Sequence, residues 1–264
     1  MVKVLSPQYV LQAQALPDIV HGFFTRQGGV STPPYDCLNI STSVGDRAEN
    51  VAVNRERVAN FMGVPAQNLV TVHQVHGSDV LTLQNPTDLQ RSSSADPADA
   101  IVSTCRDIAI GVQTADCGPI LISDASGDIV AAIHAGWRGA MRGVIENTIW
   151  TMQTLGAQEL TAVIGPCISQ RRYEVEEDMR TEVLAQDDKA RAFFMNAERA
   201  GAYLFDLGGY CALRLRHAGL RHISQIRLDT LSDSRRFFSH RRMTLGGHTH
   251  TGRQISAIKA GKKI

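Results

Sequence analysis

No stretch of this chain is apolar for long enough to cross a bilayer, and neither sign of charge dominates it, the formal net charge being +1. A chain so nearly neutral has no global basic field of the kind that gathers nucleic acid or clings to an anionic membrane, so a small ligand is the expected partner. Disulfide pairing is also not indicated. The five cysteines (Cys37, Cys105, Cys117, Cys167, Cys211) are odd in number and scattered, and no apolar run follows the lysine of Met1-Val2-Lys3-Val4-Leu5-Ser6-Pro7 as it would in a signal peptide. Free thiols in a reducing cytoplasm are therefore expected. No repeat with a solenoid period is present.

What the chain does contain is a set of similar corners. Thr114-Ala115-Asp116-Cys117-Gly118-Pro119 and His134-Ala135-Gly136-Trp137-Arg138-Gly139 each place a metal-binding side chain at the end of an apolar, β-branched run, beside glycine. Val72-His73-Gln74-Val75-His76-Gly77 has the same form. A thiolate and two imidazoles meeting at strand ends would make a three-ligand site with one position open, the arrangement of catalytic rather than structural zinc. His73 and His76 lie an odd number of residues apart, so along a strand only one would point into such a site.

Along the chain, the pattern predicts a strand at His21–Arg26 running into Gln27-Gly28-Gly29-Val30-Ser31. That glycine pair is either a turn between strands or a place where backbone amides, with Arg26, approach an anion. A helix is predicted over Asp46–Met62, ended by Gly63-Val64-Pro65, and strands at Leu69–His73 and Val80–Leu83. Pro86–Ala98 is rich in Ser, Asp and Pro and reads as a surface loop. Strands at Asp99–Ser103, Ile108–Gln113, Ile120–Ser123 and Ile129–His134 follow, the last two joined by a hairpin turn. The clearest helix runs from Met141 to Leu155, and its N-terminus with Arg138 would favour an anion such as phosphate. A strand at Leu160–Ile164, an acidic helix opening at Tyr173-Glu174-Val175-Glu176, a helix capped by Asp206 and a strand around His222–Leu228 complete the pattern. The arginines of Arg235–Arg242 read as a solvated basic tail, and His248 and His250 as part of a glycine-rich loop. Strand–turn–helix units mixed with hairpins indicate a mixed α/β fold rather than a doubly wound one.

These motifs resemble those of the YfiH family, also called the laccase-domain, polyphenol oxidase or multicopper-oxidase-like family. The likeness rests on Thr25-Arg26-x-Gly28-Gly29-Val30-Ser31, Gln74-Val75-His76-Gly77, Thr114-Ala115-Asp116-Cys117 and His134-Ala135-Gly136-Trp137-Arg138-Gly139. Gly165-Pro166-Cys167-Ile168 and Phe237-Phe238-Ser239-His240-Arg241 extend it over nearly the whole chain. The resemblance implies one domain spanning residues 1–264, of mixed β-sheets in an α/β/β/α layered sandwich. It implies His76, Cys117 and His134 as zinc ligands, with copper as the alternative metal, and leaves His73 out. It further implies phosphorolysis of purine nucleosides (adenosine, inosine, guanosine, methylthioadenosine), adenosine deamination, or a laccase-like polyphenol oxidation.

Three chemistries compete for the same residues. In a zinc enzyme the metal would acidify water for attack on the purine, and Asp116 would carry protons or orient a ligand unless it only shapes the turn. Phosphate would then be held by Arg26 with Gly28 and Gly29, and by Arg138. In a metal-free cysteine hydrolase, Cys117 would be the nucleophile and His134 its base. A true multicopper oxidase needs many His-x-His pairs, and among nine histidines only His248-Thr249-His250 forms one. A purely structural zinc would need a fourth protein ligand.

Overall fold

The architecture, that of a computed structural model, is described for residues 5–16, 18–85, 87–88 and 97–262. Most of the polar loop expected at Pro86–Ala98 lies outside the described residues. In chain order the strands are β1 (Val10–Leu11), β2 (Ile19–Phe24), β3 (Leu69–Val70), β4 (Val80–Leu83), β5 (Ala100–Ser103), β6 (Ala109–Thr114) and β7 (Gly118–Ser123). They continue as β8 (Val130–Ala135), β9 (Thr161–Ile164), β10 (Glu174–Glu176), β11 (Phe194–Asn196), β12 (Ala202–Phe205), β13 (His222–Gln225) and β14 (Gln254–Lys262). The α-helices are α1 (Ala48–Met62), α2 (Trp137–Arg142), α3 (Val144–Thr154), α4 (Glu177–Gln186), α5 (Leu207–His217) and α6 (His240–Leu245). Among the described residues no helix is long and apolar enough to cross a membrane.

A five-stranded sheet in the order β1-β2-β14-β6-β3 faces a six-stranded sheet in the order β13-β9-β7-β8-β5-β4. Strand alternation explains why both are apolar on both faces. In β2, Phe23 turns toward the other sheet and Phe24 toward α1, where Val58 and Met62 meet it. In β7, Leu121 faces the first sheet, and its neighbours Ile120 and Ile122 pack beneath α3 and α5 against Ile145, Ile149 and Leu215. The result is the expected α/β/β/α sandwich, with one core between the sheets and one under each helical layer. Each fully buried Leu, Ile or Phe in these layers contributes roughly 1.5–3 kcal/mol of transfer free energy.

Three expectations need correction. The helix predicted over Met141–Leu155 is two helices, because Gly143 adopts φ 96° and breaks the run between α2 and α3. Glu174–Glu176 is a strand, paired with β12, and the acidic helix starts only at Glu177. The basic tail is not solvated throughout: Phe237, Phe238 and Ser239 are buried, and Ser239 caps α6 by accepting from the Arg242 amide. Beyond it comes β14, a nine-residue strand between β2 and β6 that the sequence pattern had not indicated.

The connections matter most for function. The chain crosses from the first sheet to the second between β3 and β4 and between β6 and β7, and returns between β5 and β6 and between β13 and β14. Pairing Gln254 with Thr114, and Gly118 with Ala135, brings the start of β14, the end of β6, the start of β7 and the end of β8 to one edge of the sandwich.

Candidate metal centre

At that edge three side chains converge. His76 lies on the β3–β4 crossover, Cys117 on the β6–β7 crossover and His134 near the end of β8. One donor atom from each falls within 4.8 Å of the other two, and they are the one such group of three or more found among the described residues. The imidazoles of His76 and His134 stand edge to face, 4.7 Å apart. His134 has the strand parity of Val130 and Ala132 and so faces the space between the sheets, where it is buried. His76 has φ 58°, so the alternation rule that set His73 against His76 does not apply to it. His73, exposed, lines the same cleft, is not one of the three converging donors, and forms an isolated bridge with Pro97.

One buried carboxylate organises both histidines. Asp99, immediately before β5, is fully buried and accepts the Nδ1 proton of His134 at 2.7 Å. It also accepts the backbone amides of Val75, His76 and Gly77 at 3.1, 3.0 and 2.6 Å. His134 thereby presents Nε2 to Cys117, and the crossover bearing His76 is fixed against the same carboxylate. Those contacts hold Asp99 below the usual carboxylate range although burial opposes ionisation. Burial also disfavours a charged His134, but Cys117 and Asp99 outweigh it and raise the imidazole to about 9. His76 is driven the other way, to about 4, by desolvation of its ring and by the charges of His134, Arg138 and Arg253. Its side chain still meets solvent at the cleft, and the crowding falls on the ring nitrogens: a methyl group on Gly136 would lie 2.5 Å from His76 Nδ1 and 3.2 Å from Cys117 Sγ. Two imidazoles and a thiol so arranged, with a carboxylate behind one imidazole, suit zinc or another metal that accepts mixed nitrogen and sulfur donors.

The trio lies in the wall of a cleft of about 540 Å³. Trp137 and Tyr173 supply aromatic surface there, Ser41, Thr42 and Ser43 hydroxyls, and Arg241, Arg253 and His240 basic groups. Asp116 also lines it, with φ 93°, but both its oxygens are engaged. Thr230 Oγ1 donates to one at 2.6 Å, and Ser239 Oγ and the Arg241 amide donate to the other at 2.9 and 2.7 Å. These partners, more than a hundred residues away, pin the Cys117 corner to the β13–β14 crossover.

The residues expected to hold phosphate are elsewhere. Arg26 is ion-paired with Asp36 at 3.1 Å, donates to the carbonyls of Asp36 and Ser234, and stacks on Phe238. A side chain on Gly29 would lie 2.1 Å from the carbonyl oxygen of Cys37, and Gly28 (φ 88°) packs beside Tyr9 and Leu5. Their glycine character thus serves a tight turn. Arg138 lies over the Trp137 ring, 4.4 Å from its centre, close enough to His76 to act on it but outside the cleft wall. His250 packs edge-on against Tyr35, and neither it nor His248 joins a group of three metal donors among the described residues. Sequence patterning passed over Asp99, Arg241 and Arg253. An aspartate directly before the apolar run Ala100-Ile101-Val102 was the available signal for the first.

Known proteins show the same arrangement of sequence and fold. The family model described as multi-copper polyphenol oxidoreductase laccase matches residues 20–261. A purine nucleoside phosphorylase of Mycobacterium tuberculosis is 40% identical over 220 residues, covering 83% of this chain and 84% of that protein. Purine nucleoside phosphorylase YfiH of Escherichia coli is 36% identical over 234 residues, 89% of this chain and 90% of its own. The solved structure of YlmD from Geobacillus stearothermophilus aligns with a TM-score of 0.82 at 28% identity, over 98% of both chains. That of a Neisseria meningitidis protein aligns with a TM-score of 0.82 at 32% identity, over 95% of this chain and 98% of its own. By sequence over most of its length and by fold, the chain belongs to the multi-copper polyphenol oxidoreductase laccase family, which includes YfiH.

Proposed function

We propose that this chain is a cytoplasmic, single-domain, zinc-dependent purine nucleoside phosphorylase with adenosine deaminase activity at the same site. Its substrates would be adenosine, inosine, guanosine and methylthioadenosine. The observation that carries this is the convergence of His76, Cys117 and His134 on a cleft large enough for a nucleoside. The names of the relatives at 36–40% identity support the substrate class. His76, Cys117 and His134 would hold the metal, which supplies Lewis acidity toward water and toward substrate oxygen or nitrogen. The protein's own groups do the rest. Trp137 and Tyr173 offer flat apolar surface to a purine, and Ser41–Ser43 offer hydroxyls to a ribose. Asp99 fixes the tautomer of His134, and Asp116 orients the Cys117 corner rather than carrying protons, since both its oxygens already accept.

In phosphorolysis a phosphate oxygen bonds to C1′ as the C1′–N9 bond breaks, and the departing purine takes up a proton. In deamination water replaces the amine at C6 and ammonia leaves. Incubating the zinc-loaded protein with adenosine and inosine, with and without phosphate, separates the two. Ribose 1-phosphate forms only with phosphate, whereas inosine forms from adenosine regardless. Failure of the zinc-loaded protein to convert either nucleoside would overturn the proposal.

A second reading has an observation of its own. Cys117, His134 and Asp99 are linked in the order nucleophile, base and orienting carboxylate. His76, which that arrangement does not need, favours the metal. The two readings also differ in pH dependence. Metal uptake must displace the proton that His134 holds up to about 9, so affinity is expected to weaken as pH falls below that value, by up to roughly tenfold per unit. In the metal-free fold the sign reverses: a raised histidine pKa stabilises fully below the usual value of about 6.5, and the benefit is lost as pH rises toward 9. Chelator-competition titrations across that range check the first statement, and a pH-independent affinity would contradict it.

A further inference from the structure

Among the described residues Arg26, Arg106, Arg180, Arg191, Arg199, Arg214 and Arg236 face a carboxylate, whereas Arg55, Arg57 and Arg242, away from the cleft wall, spend their guanidinium donors on backbone carbonyls. Two others line the cleft. Among the described residues the Arg253 side chain donates through Nη1, to the carbonyls of Thr251 and Gly252 at 3.2 and 3.0 Å, and no carboxylate is ion-paired with it. Arg241 donates through Nη1 to the carbonyl of Glu174 at 2.9 Å and lies over the Tyr173 ring, again with no carboxylate among the described residues. These planar guanidinium groups keep unused donors in a partly desolvated cleft, and neither side chain is hydrogen-bonded to a carboxylate among the described residues.

A third group points to what is missing. Thr114 is 2% exposed and lines the cleft, and its hydroxyl has no hydrogen-bond partner among the described residues. The β6–β14 register pairs Thr114 with Gln254, so this hydroxyl belongs to the residue beside Arg253 across the sheet. A buried hydroxyl left unpaired is unfavourable, and a ligand oxygen at this point would satisfy it. Arg253 also lies within electrostatic reach of Cys117, Asp116 and His76, and its amide and carbonyl are bonded to Asn39 and Ile40, next to the Ser41–Ser43 hydroxyls. Cation, unpaired hydroxyl, metal donors and hydroxyl wall are therefore contiguous. Asp116, the one carboxylate of the cleft wall among the described residues, already accepts hydrogen bonds at both oxygens.

We propose that Arg253 and Arg241, with the Thr114 hydroxyl, form the binding subsite for free inorganic phosphate beside the metal trio. That phosphate is the anion rests on the nucleoside-cleaving function proposed above; that an oxyanion binds here rests on the three residues alone. The subsite replaces Arg26, Gly28, Gly29 and Arg138 in that role.

The test is calorimetric titration of inorganic phosphate into metal-stripped protein. Wild type is expected to bind phosphate saturably in the absence of metal, because the subsite is built from protein groups alone. Arg253→Gln and Arg241→Gln are expected to bind it roughly tenfold or more weakly, and Thr114→Val a few-fold more weakly. Arg253→Lys, which keeps the charge, should fall between wild type and Arg253→Gln, guarding against a merely unfolded variant. Saturating adenosine should leave the phosphate site available. Wild-type affinity in both glutamine variants, or no saturable binding in wild type, would overturn the subsite even if the enzyme cleaves nucleosides. Phosphate binding lost in both variants, in a protein that cleaves no nucleoside, would uphold the subsite and sink the function. Should adenosine 5′-monophosphate bind far more tightly and displace phosphate and adenosine together, the anion would be the nucleotide's own phosphate and the free-phosphate assignment would be wrong.

Discussion

Asp99→Ala is expected to be the most damaging single substitution at the site, lowering the melting temperature by roughly 10 °C and abolishing stoichiometric metal binding. The carboxylate is fully buried and accepts four hydrogen bonds, from three consecutive backbone amides and from His134 Nδ1. Alanine leaves those amides without an acceptor and removes the counter-charge of a buried imidazole, a loss of about 3–5 kcal/mol for a broken buried pair. It also frees both metal-bearing histidines at once: His134 loses its orienting bond, and the turn at Val75–Gly77 that aims His76 loses its anchor. Asp99→Asn separates the two effects. Its amide oxygen can still accept from Val75 and Gly77, so more stability should remain than in Asp99→Ala, while the amide NH2 turned toward His134 Nδ1 should cost about 10- to 100-fold in metal affinity. Thermal melts and chelator competition read the two quantities. An Asp99→Ala protein that melts with wild type and keeps its metal would show that the histidines are held by something else.

Gly136→Ala is expected to abolish tight metal binding while leaving the fold largely intact. The backbone of Gly136 is extended (φ −71°, ψ 164°) and open to any residue, so alanine adds no torsional strain. What it adds is a methyl group 2.5 Å from His76 Nδ1, 2.9 Å from Cε1 and 3.2 Å from Cys117 Sγ. The sulfur sits on a well-packed corner, whereas His76 is on a crossover open to solvent, so the imidazole is the group that must move. Overpacking of this kind costs about 1–3 kcal/mol, and displacing one of three ligands should weaken affinity by roughly 100-fold. Far-ultraviolet circular dichroism should match wild type, and metal retained after dialysis should be absent. Retention of metal by Gly136→Ala would mean that the donors do not converge where His76 Nδ1 now lies.

The sandwich was readable in the sequence because its central strands, such as Ile120–Ser123 and Val130–Ala135, are β-branched runs bounded by turns. So were the corners that carry Cys117 and His134. β14 was less legible, since Gln254-Ile255-Ser256-Ala257-Ile258-Lys259 alternates weakly and owes its burial to neighbours on both sides rather than to composition. Tertiary contact likewise decided Glu174–Glu176, where pairing with β12 overrides a charge pattern suited to a helix. At the site, residue type and position at a strand end suffice to suggest ligands. They do not show which arginines reach the cleft, because Arg26 and Arg253 both lie within two residues of a glycine, and only the folded ion pair with Asp36 marks Arg26 as satisfied. Asp116 illustrates the same limit, its role being set by Thr230 and Ser239.

Elemental analysis of metal per chain, for wild type beside Cys117→Ser and His76→Ala, tests the central claim most directly. The three-donor site predicts about one zinc per wild-type chain and little or none in either variant. Wild-type protein that stays metal-free even after zinc is supplied would contradict it and leave Cys117, His134 and Asp99 to be explained as a hydrolase triad.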